Sequence, residues 1–168
     1  MGDNKSVVLC GFMGCGKSTV GKRLATVTGR EFVDMDTYIE QTAGICVSEI
    51  FARHGEAYFR ALETQACKEL ALRDGLVIAA GGGALISPEN ARILRARCTV
   101  VYLDVTPETV LSRLEGDTMR PLLQGEGKEA RVRELMSVRR PLYEAAAHVA
   151  VAADGDFETV AARVATLL

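Results

Sequence analysis

Val7-Val8-Leu9-Cys10-Gly11-Phe12-Met13-Gly14-Cys15-Gly16-Lys17-Ser18-Thr19 is the stretch from which the rest of the chain can be read. Its first four residues are a continuous apolar run stopped by a glycine, the pattern of a strand buried on both faces. The residues from Gly11 onward fit G-x-x-x-x-G-K-[ST], and a helical pattern, Val20 to Val27, opens directly behind them. Glycines let the backbone turn tightly and aim successive N–H groups inward as an anion nest. The helix that follows adds the positive end of its dipole. In this reading the loop Gly14, Cys15, Gly16, Lys17, Ser18 and Thr19 cradles nucleotide phosphates. Lys17 reaches the outer phosphates and the Ser18 hydroxyl takes Mg²⁺. The plainer alternative is a glycine-rich turn that binds nothing. Against it stand the strand before and the helix after, the context that the motif requires.

Outward from this loop, further strand candidates are Glu31–Asp34, Leu76–Ala80, Cys98–Asp104 and His148–Ala152, with helical patterns between them. Several are unbroken apolar runs, which suits a parallel sheet covered on both faces. The expected fold is therefore α/β: a three-layer sandwich with right-handed crossovers around a five-stranded parallel sheet. The first helix is expected to stop at Gly29. At 168 residues the chain reads as one domain with room for a proper core. A net charge of −2 gives no general attraction for nucleic acid or an anionic membrane. The five cysteines form no C-x-x-C pair, which fits free thiols and a cytoplasmic setting. No apolar run approaches membrane-spanning length. Met1-Gly2-Asp3-Asn4-Lys5-Ser6 matches a myristoylation pattern and is read as chance, since the first strand follows at once.

Two regions break the alternation. Residues 37–73 are longer than one crossover helix needs; Gly44 and Gly55 split them, and a long helix starts at Glu56. Such an insertion is where a substrate site can be built. Residues 116–128 hold Gly116, Arg120, Pro121, Gly125 and Gly127, the composition of a lid.

Four constellations carry chemistry. Asp34-Met35-Asp36 closes the second strand; alternate strand residues share a face, so both carboxylates can reach past the sheet edge where open α/β folds bind ligands. The structural alternative makes Asp36 the N-cap of a helix over Thr37–Gln41. Arg60 and Glu63 share a helix face, and spacing alone favours a surface ion pair over an anion grip. Gly81-Gly82-Gly83 follows a buried strand and allows close backbone approach to something small. That strand has no acidic tip, so Asp34 replaces the usual second anchor for Mg²⁺. Among the arginines, Arg113, Arg120, Arg139 and Arg140, the lid residue Arg120 is placed to close over a transferring phosphate, and the run Arg139-Arg140-Pro141-Leu142-Tyr143 is expected to end a helical stretch.

Taken in order, G-F-M-G-C-G-K-S-T, D-M-D, F-R-x-x-E at Phe59–Glu63, G-G-G, M-R-P-L-L at Met119–Leu123 and R-x-P-L-Y at Arg139–Tyr143 closely resemble the shikimate kinases over nearly the whole chain. The resemblance implies a P-loop kinase fold with strand order 2-3-1-4-5. It also implies transfer of the ATP γ-phosphate to the 3-hydroxyl of shikimate, toward chorismate and the aromatic amino acids, by a monomer. In that picture Lys17, Asp36 and Arg120 are catalytic. Asp36, Arg60, Arg139 and the Gly81, Gly82 and Gly83 turn take shikimate. Lys17, Arg113 and Arg120 serve ATP, while Ser18 and water-bridged Asp34 serve Mg²⁺. The spacing to Pro141 selects Arg139, not Arg140, as the carboxylate binder.

Departures from the family pattern are Cys15, where Ser or Ala is more usual, and the segment Ala153-Asp154-Gly155-Asp156, which lacks an Arg and a Pro often found near adenine. Cys15, close to a helix N-terminus and Lys17, is expected to be the reactive thiol. Rival readings are another small P-loop kinase, such as a gluconate-type enzyme, and a catalytically silent nucleotide-binding homologue.

Overall fold

The apolar run ahead of the glycines becomes the middle strand of the sheet. The computed structural model describes residues 3–116 and 124–168. In it, β1 (Val7–Cys10) lies between β3 (Leu76–Ala79) and β4 (Thr99–Asp104), with β2 (Glu31–Asp34) and β5 (Val149–Ala152) at the edges. Every pairing is parallel, in the order β2-β3-β1-β4-β5, and Val8 stands level with both Ile78 and Val100. β1 and β3 are buried along their whole length, as their unbroken apolar sequences require under helices on both faces. Strand ends agree with the sequence reading to within one residue; Ala80, Cys98 and His148 fall just outside.

The helix α1 (Lys17–Thr28) opens from the glycine loop and stops where Gly29, with φ 67°, donates its N–H to the Ala25 carbonyl. The Phe32 ring fills the space beside Gly21, where a Cβ would come within 2.6 Å of it, so α1 beds tightly on β2. Three helices occupy residues 37–73 and the two positions before them: α2 (Met35–Ala43), α3 (Val47–His54) and α4 (Glu56–Leu70). Gly44 and Gly55, both with positive φ, make the breaks. α4 buries Phe59, Glu63, Ala66, Cys67 and Leu70, a stripe at helical spacing with a carboxylate in its middle. After β3 comes the glycine turn and a single 3₁₀ turn, Ala84–Ile86. Among the described residues the remaining helices are α5 (Pro88–Arg97), α6 (Pro107–Arg113), α7 (Lys128–Ala146) and α8 (Phe157–Ala165).

Two expectations are corrected here. The cap of α2 is Asp34, whose Oδ1 accepts from the Thr37 N–H at 3.1 Å; Asp36 lies inside the first turn. The strand ends at Asp34 as expected, but α2 opens at Met35, two residues ahead of Thr37, so Asp34 and Asp36 are not alternate residues of one strand. Second, Pro141 does not end a helix: α7 runs on to Ala146 through it. The N–H that proline lacks would have served Ser137, which is exposed to solvent, so the break in the ladder falls where water reaches the chain. Residues 117–123, including Arg120 and the Met119–Leu123 stretch, lie outside the described residues.

Candidate active site

The loops after β1, β2 and β3 meet at the carboxyl edge of the sheet, around a hollow of about 690 Å³. Its floor is the glycine loop. Gly11, Gly14 and Gly16 hold φ of 147°, 75° and 95°, conformations that a side chain strains, and α1 begins at the next residue, Lys17. The Lys17 ammonium folds back over this loop and donates to the carbonyls of Gly11 at 2.7 Å and Phe12 at 3.2 Å. Gly14, Gly16, Lys17, Ser18 and Thr19 all line the hollow. Cys15 does not: it is fully buried, with its Sγ packed beside Gly11 and near the Lys17 ammonium. The expectation of an accessible, reactive thiol is overturned, because the tight turn points this side chain into the core and leaves only its backbone to the loop.

On one wall Ser18 Oγ donates to Asp34 Oδ2 at 3.0 Å. A hydroxyl and a carboxylate a hydrogen bond apart, at a helix N-terminus, are the hard oxygen donors that suit Mg²⁺. Asp36 stands next to them on the first turn of α2. Burial raises its pKa, the Asp34 charge raises it further, and Lys17 and Arg60 oppose the rise.

The opposite half is built by the glycine turn and α4. A Cβ on Gly81 would stand 2.9 Å from Asp36 Oδ1 and 3.3 Å from Glu63 Oε2; one on Gly83 would stand 2.5 Å from Arg60 Nη1. Neither glycine has a positive φ, so here the missing side chain is a matter of space. Glu63, only 1% exposed, accepts from Arg60 Nη1 at 2.9 Å. Burial raises the Glu63 pKa while Arg60 holds it down. Glu56 reaches Arg60 Nε at 3.5 Å, and the guanidinium lies 5.4 Å from the Phe59 ring centre. The pair is thus half sunk, with a buried acid orienting an arginine whose other face remains open. Spacing alone pointed the other way, since it shows which residues share a face but not what covers it.

Arg139 and Arg140 separate cleanly. Arg140 is held by Asp104 at 2.6 Å and Glu144 at 3.1 Å. Arg139 has no carboxylate partner among the described residues and lies 5.9 Å from the centre of the Phe12 ring. Arg113 donates to the carbonyls of Gly14, Ala153 and Gly155, and its guanidinium lies 4.8 Å from the Phe157 ring centre. Phe157 in turn packs on Gly16, where a Cβ would come within 2.7 Å of the ring. Phe157 and Tyr143, whose hydroxyl meets the Gly82 carbonyl, were not singled out from the sequence. The only signal for either was the tyrosine closing R-x-P-L-Y.

A phosphate-cradling loop leading from the central strand of a 2-3-1-4-5 parallel sheet into α1 defines a P-loop kinase. Among such proteins the comparisons are specific. A family model described as shikimate kinase matches residues 13–168, and the chain belongs to the shikimate kinase family. It is 48% identical over 141 residues to a shikimate kinase of Geobacter sulfurreducens, covering 84% of this chain and 78% of that protein. The structure of shikimate kinase from Acinetobacter baumannii in complex with shikimate is 40% identical and superposes with a TM-score of 0.89, covering 97% of this chain and 92% of that one. A gluconokinase from Sinorhizobium meliloti, 17% identical with a TM-score of 0.59 over 99% and 97% of the two chains, shares the fold alone.

Proposed function

We propose that this chain transfers the γ-phosphoryl group of ATP to the 3-hydroxyl of shikimate, giving shikimate 3-phosphate and ADP, a step toward chorismate and the aromatic amino acids. The observation that carries the reading is the Arg60 guanidinium in the space that Gly83 leaves free, oriented by buried Glu63 and beside Asp36. A small polyhydroxy carboxylate needs such an arrangement: planar N–H donors for its carboxylate and an acceptor for a hydroxyl. Arg139, with no carboxylate partner among the described residues, supplies a second cation to the carboxylate, and in this reading the Gly82 backbone touches the ring.

On the nucleotide side the loop N–H groups and Lys17 hold the phosphates, and Arg113 with Phe157 borders the nucleobase end. Ser18 and, through water, Asp34 would hold Mg²⁺, which when bound neutralises charge on the transferring phosphate. Asp36 accepts the hydrogen bond of the acceptor hydroxyl and orients its oxygen; its raised pKa moves it toward a better base. Positioning and charge neutralisation then supply most of the catalysis.

The reading includes a monomer, which the family resemblance implies, and a cytoplasmic setting, which the free thiols of all the described cysteines favour. A coupled ADP-release assay with Mg²⁺ tests the reading, offering shikimate, gluconate and nucleoside monophosphates in parallel. Turnover with shikimate alone is expected. Preference for gluconate or a nucleotide, or no turnover with any of them, contradicts it.

A further inference from the structure

The glycine turn is clamped from two sides. On one, the buried Asn90 side chain donates to the Ala84 carbonyl at 3.0 Å and accepts from Thr64 Oγ1 at 2.8 Å, tying the turn to α4 and α5. On the other, Tyr143 of α7 donates its phenol O–H to the Gly82 carbonyl at 2.6 Å. Tyr143 is 1% exposed, and its ring stacks on Tyr102 with centres 5.4 Å apart. Arg139 stands one helical turn earlier on the same face. Its guanidinium lies beside the same phenol, where its charge opposes the upward push that burial gives the hydroxyl.

We infer that Tyr143 is a positioning residue for the acceptor: its hydroxyl fixes the Gly82 peptide and Arg139 together. The peptide is planar, so pinning the Gly82 carbonyl toward α7 also fixes the Gly83 N–H on its opposite edge, and Gly83 is the residue whose missing side chain leaves room for Arg60. The oxygen of the same hydroxyl offers Arg139 an acceptor that costs the guanidinium none of its charge, unlike the acids that hold Arg140. One buried O–H therefore links two acceptor-binding groups on different elements, and its hydrogen bond goes to the glycine turn and not to the Ser18–Asp34 pair. The role does not need the hydroxyl to ionise, and burial with an adjacent carbonyl keeps it protonated at neutral pH.

This inference rests on the acceptor reading above. Tyr143→Phe keeps the ring, its stacking on Tyr102 and its volume, and removes only the hydroxyl. The Michaelis constant for shikimate is expected to rise about five- to tenfold, while that for ATP stays within about twofold and the melting temperature falls by only a few degrees. Tyr102→Phe removes the neighbouring hydroxyl, which donates to Asp104 at 3.3 Å, and should leave the shikimate constant within about twofold. An unchanged shikimate constant in Tyr143→Phe, an equal rise for both substrates, or the same effect from Tyr102→Phe overturns the inference. If the parental enzyme does not phosphorylate shikimate, the acceptor reading fails and this inference fails with it. If the parental enzyme does so and Tyr143→Phe matches it, only the positioning role is lost.

Discussion

Asp34 and Asp36 sit almost side by side and should fail differently when changed. Asp34 is engaged at both oxygens, by Ser18 Oγ and by the Thr37 N–H. Asp36 is part-buried, faces Gly81, and feels both Lys17 and Arg60. Asp34→Asn should raise the Mg²⁺ requirement, with excess Mg²⁺ restoring part of the rate. Asp36→Asn should cut kcat strongly, leave Mg·ATP binding nearly intact and show no recovery. A Mg²⁺ titration of initial rate for both variants decides, and recovery of Asp36→Asn in place of Asp34→Asn would mean the roles are reversed. Gly83 permits a sharper test of space. Its φ is ordinary, so Gly83→Ala carries no backbone strain, but the new methyl must displace the Arg60 guanidinium end. A rise of about tenfold in the shikimate Michaelis constant is expected, the loss of about one charge-assisted hydrogen bond, with ATP affinity and melting temperature near parental. Kinetics with unchanged shikimate affinity would show that Arg60 moves aside without cost.

At the scale of elements, the junction between β4 and β5 holds a titrating group. His148 Nδ1 accepts from the Val100 N–H at 3.0 Å, while the His148 N–H donates to the Val100 carbonyl at 2.8 Å. Accepting requires a neutral ring; burial, then Arg95 and Lys5, lower its pKa below the ordinary 6.5. The folded value lies below the unfolded one, so the contribution is present above pH 6.5 and is lost as pH falls through the folded value. His148→Asn keeps an acceptor and removes the titration. Melting curves at pH 7.5 and 5.5 should show a smaller drop for the variant than for the parent; equal drops would assign the acid sensitivity to other groups. How far elements were legible follows the same local logic. Gly29, Gly44 and Gly55 ended helices as expected because a positive φ is written in the residue itself. The cap of α2 was misassigned because Asp34 and Asp36 are equally good caps and nothing local shows that the helix opens at Met35, directly behind the strand. Pro141 was misread as a terminus because tertiary packing held α7 through a local defect. Glu63 carried no signal of burial, since what covers a helix face depends on elements distant in sequence.

Across the whole molecule, the carboxyl edge divides in two. The loop after β1 and the start of α2 form a half suited to phosphate and metal. The glycine turn after β3, with α4 and α7, forms a half suited to a small hydroxylated carboxylate. The sheet order was predictable only through the resemblance, since apolar runs show that strands are buried but not which neighbours they take. The nucleotide half was legible from one contiguous motif, whereas the acceptor half gathers Asp36, Arg60, Gly81, Gly83 and Arg139 from four separate elements or turns, and only the fold brings them together. The measurement that tests this division most directly is calorimetric titration of shikimate and of Mg·ATP into the parental protein, Arg60→Ala and Arg139→Ala. Each variant should bind shikimate at least about tenfold more weakly, the loss expected for a charge-assisted hydrogen bond, and bind Mg·ATP within about twofold of the parent. Equal weakening of both ligands, or parental affinity for shikimate in either variant, would contradict the account.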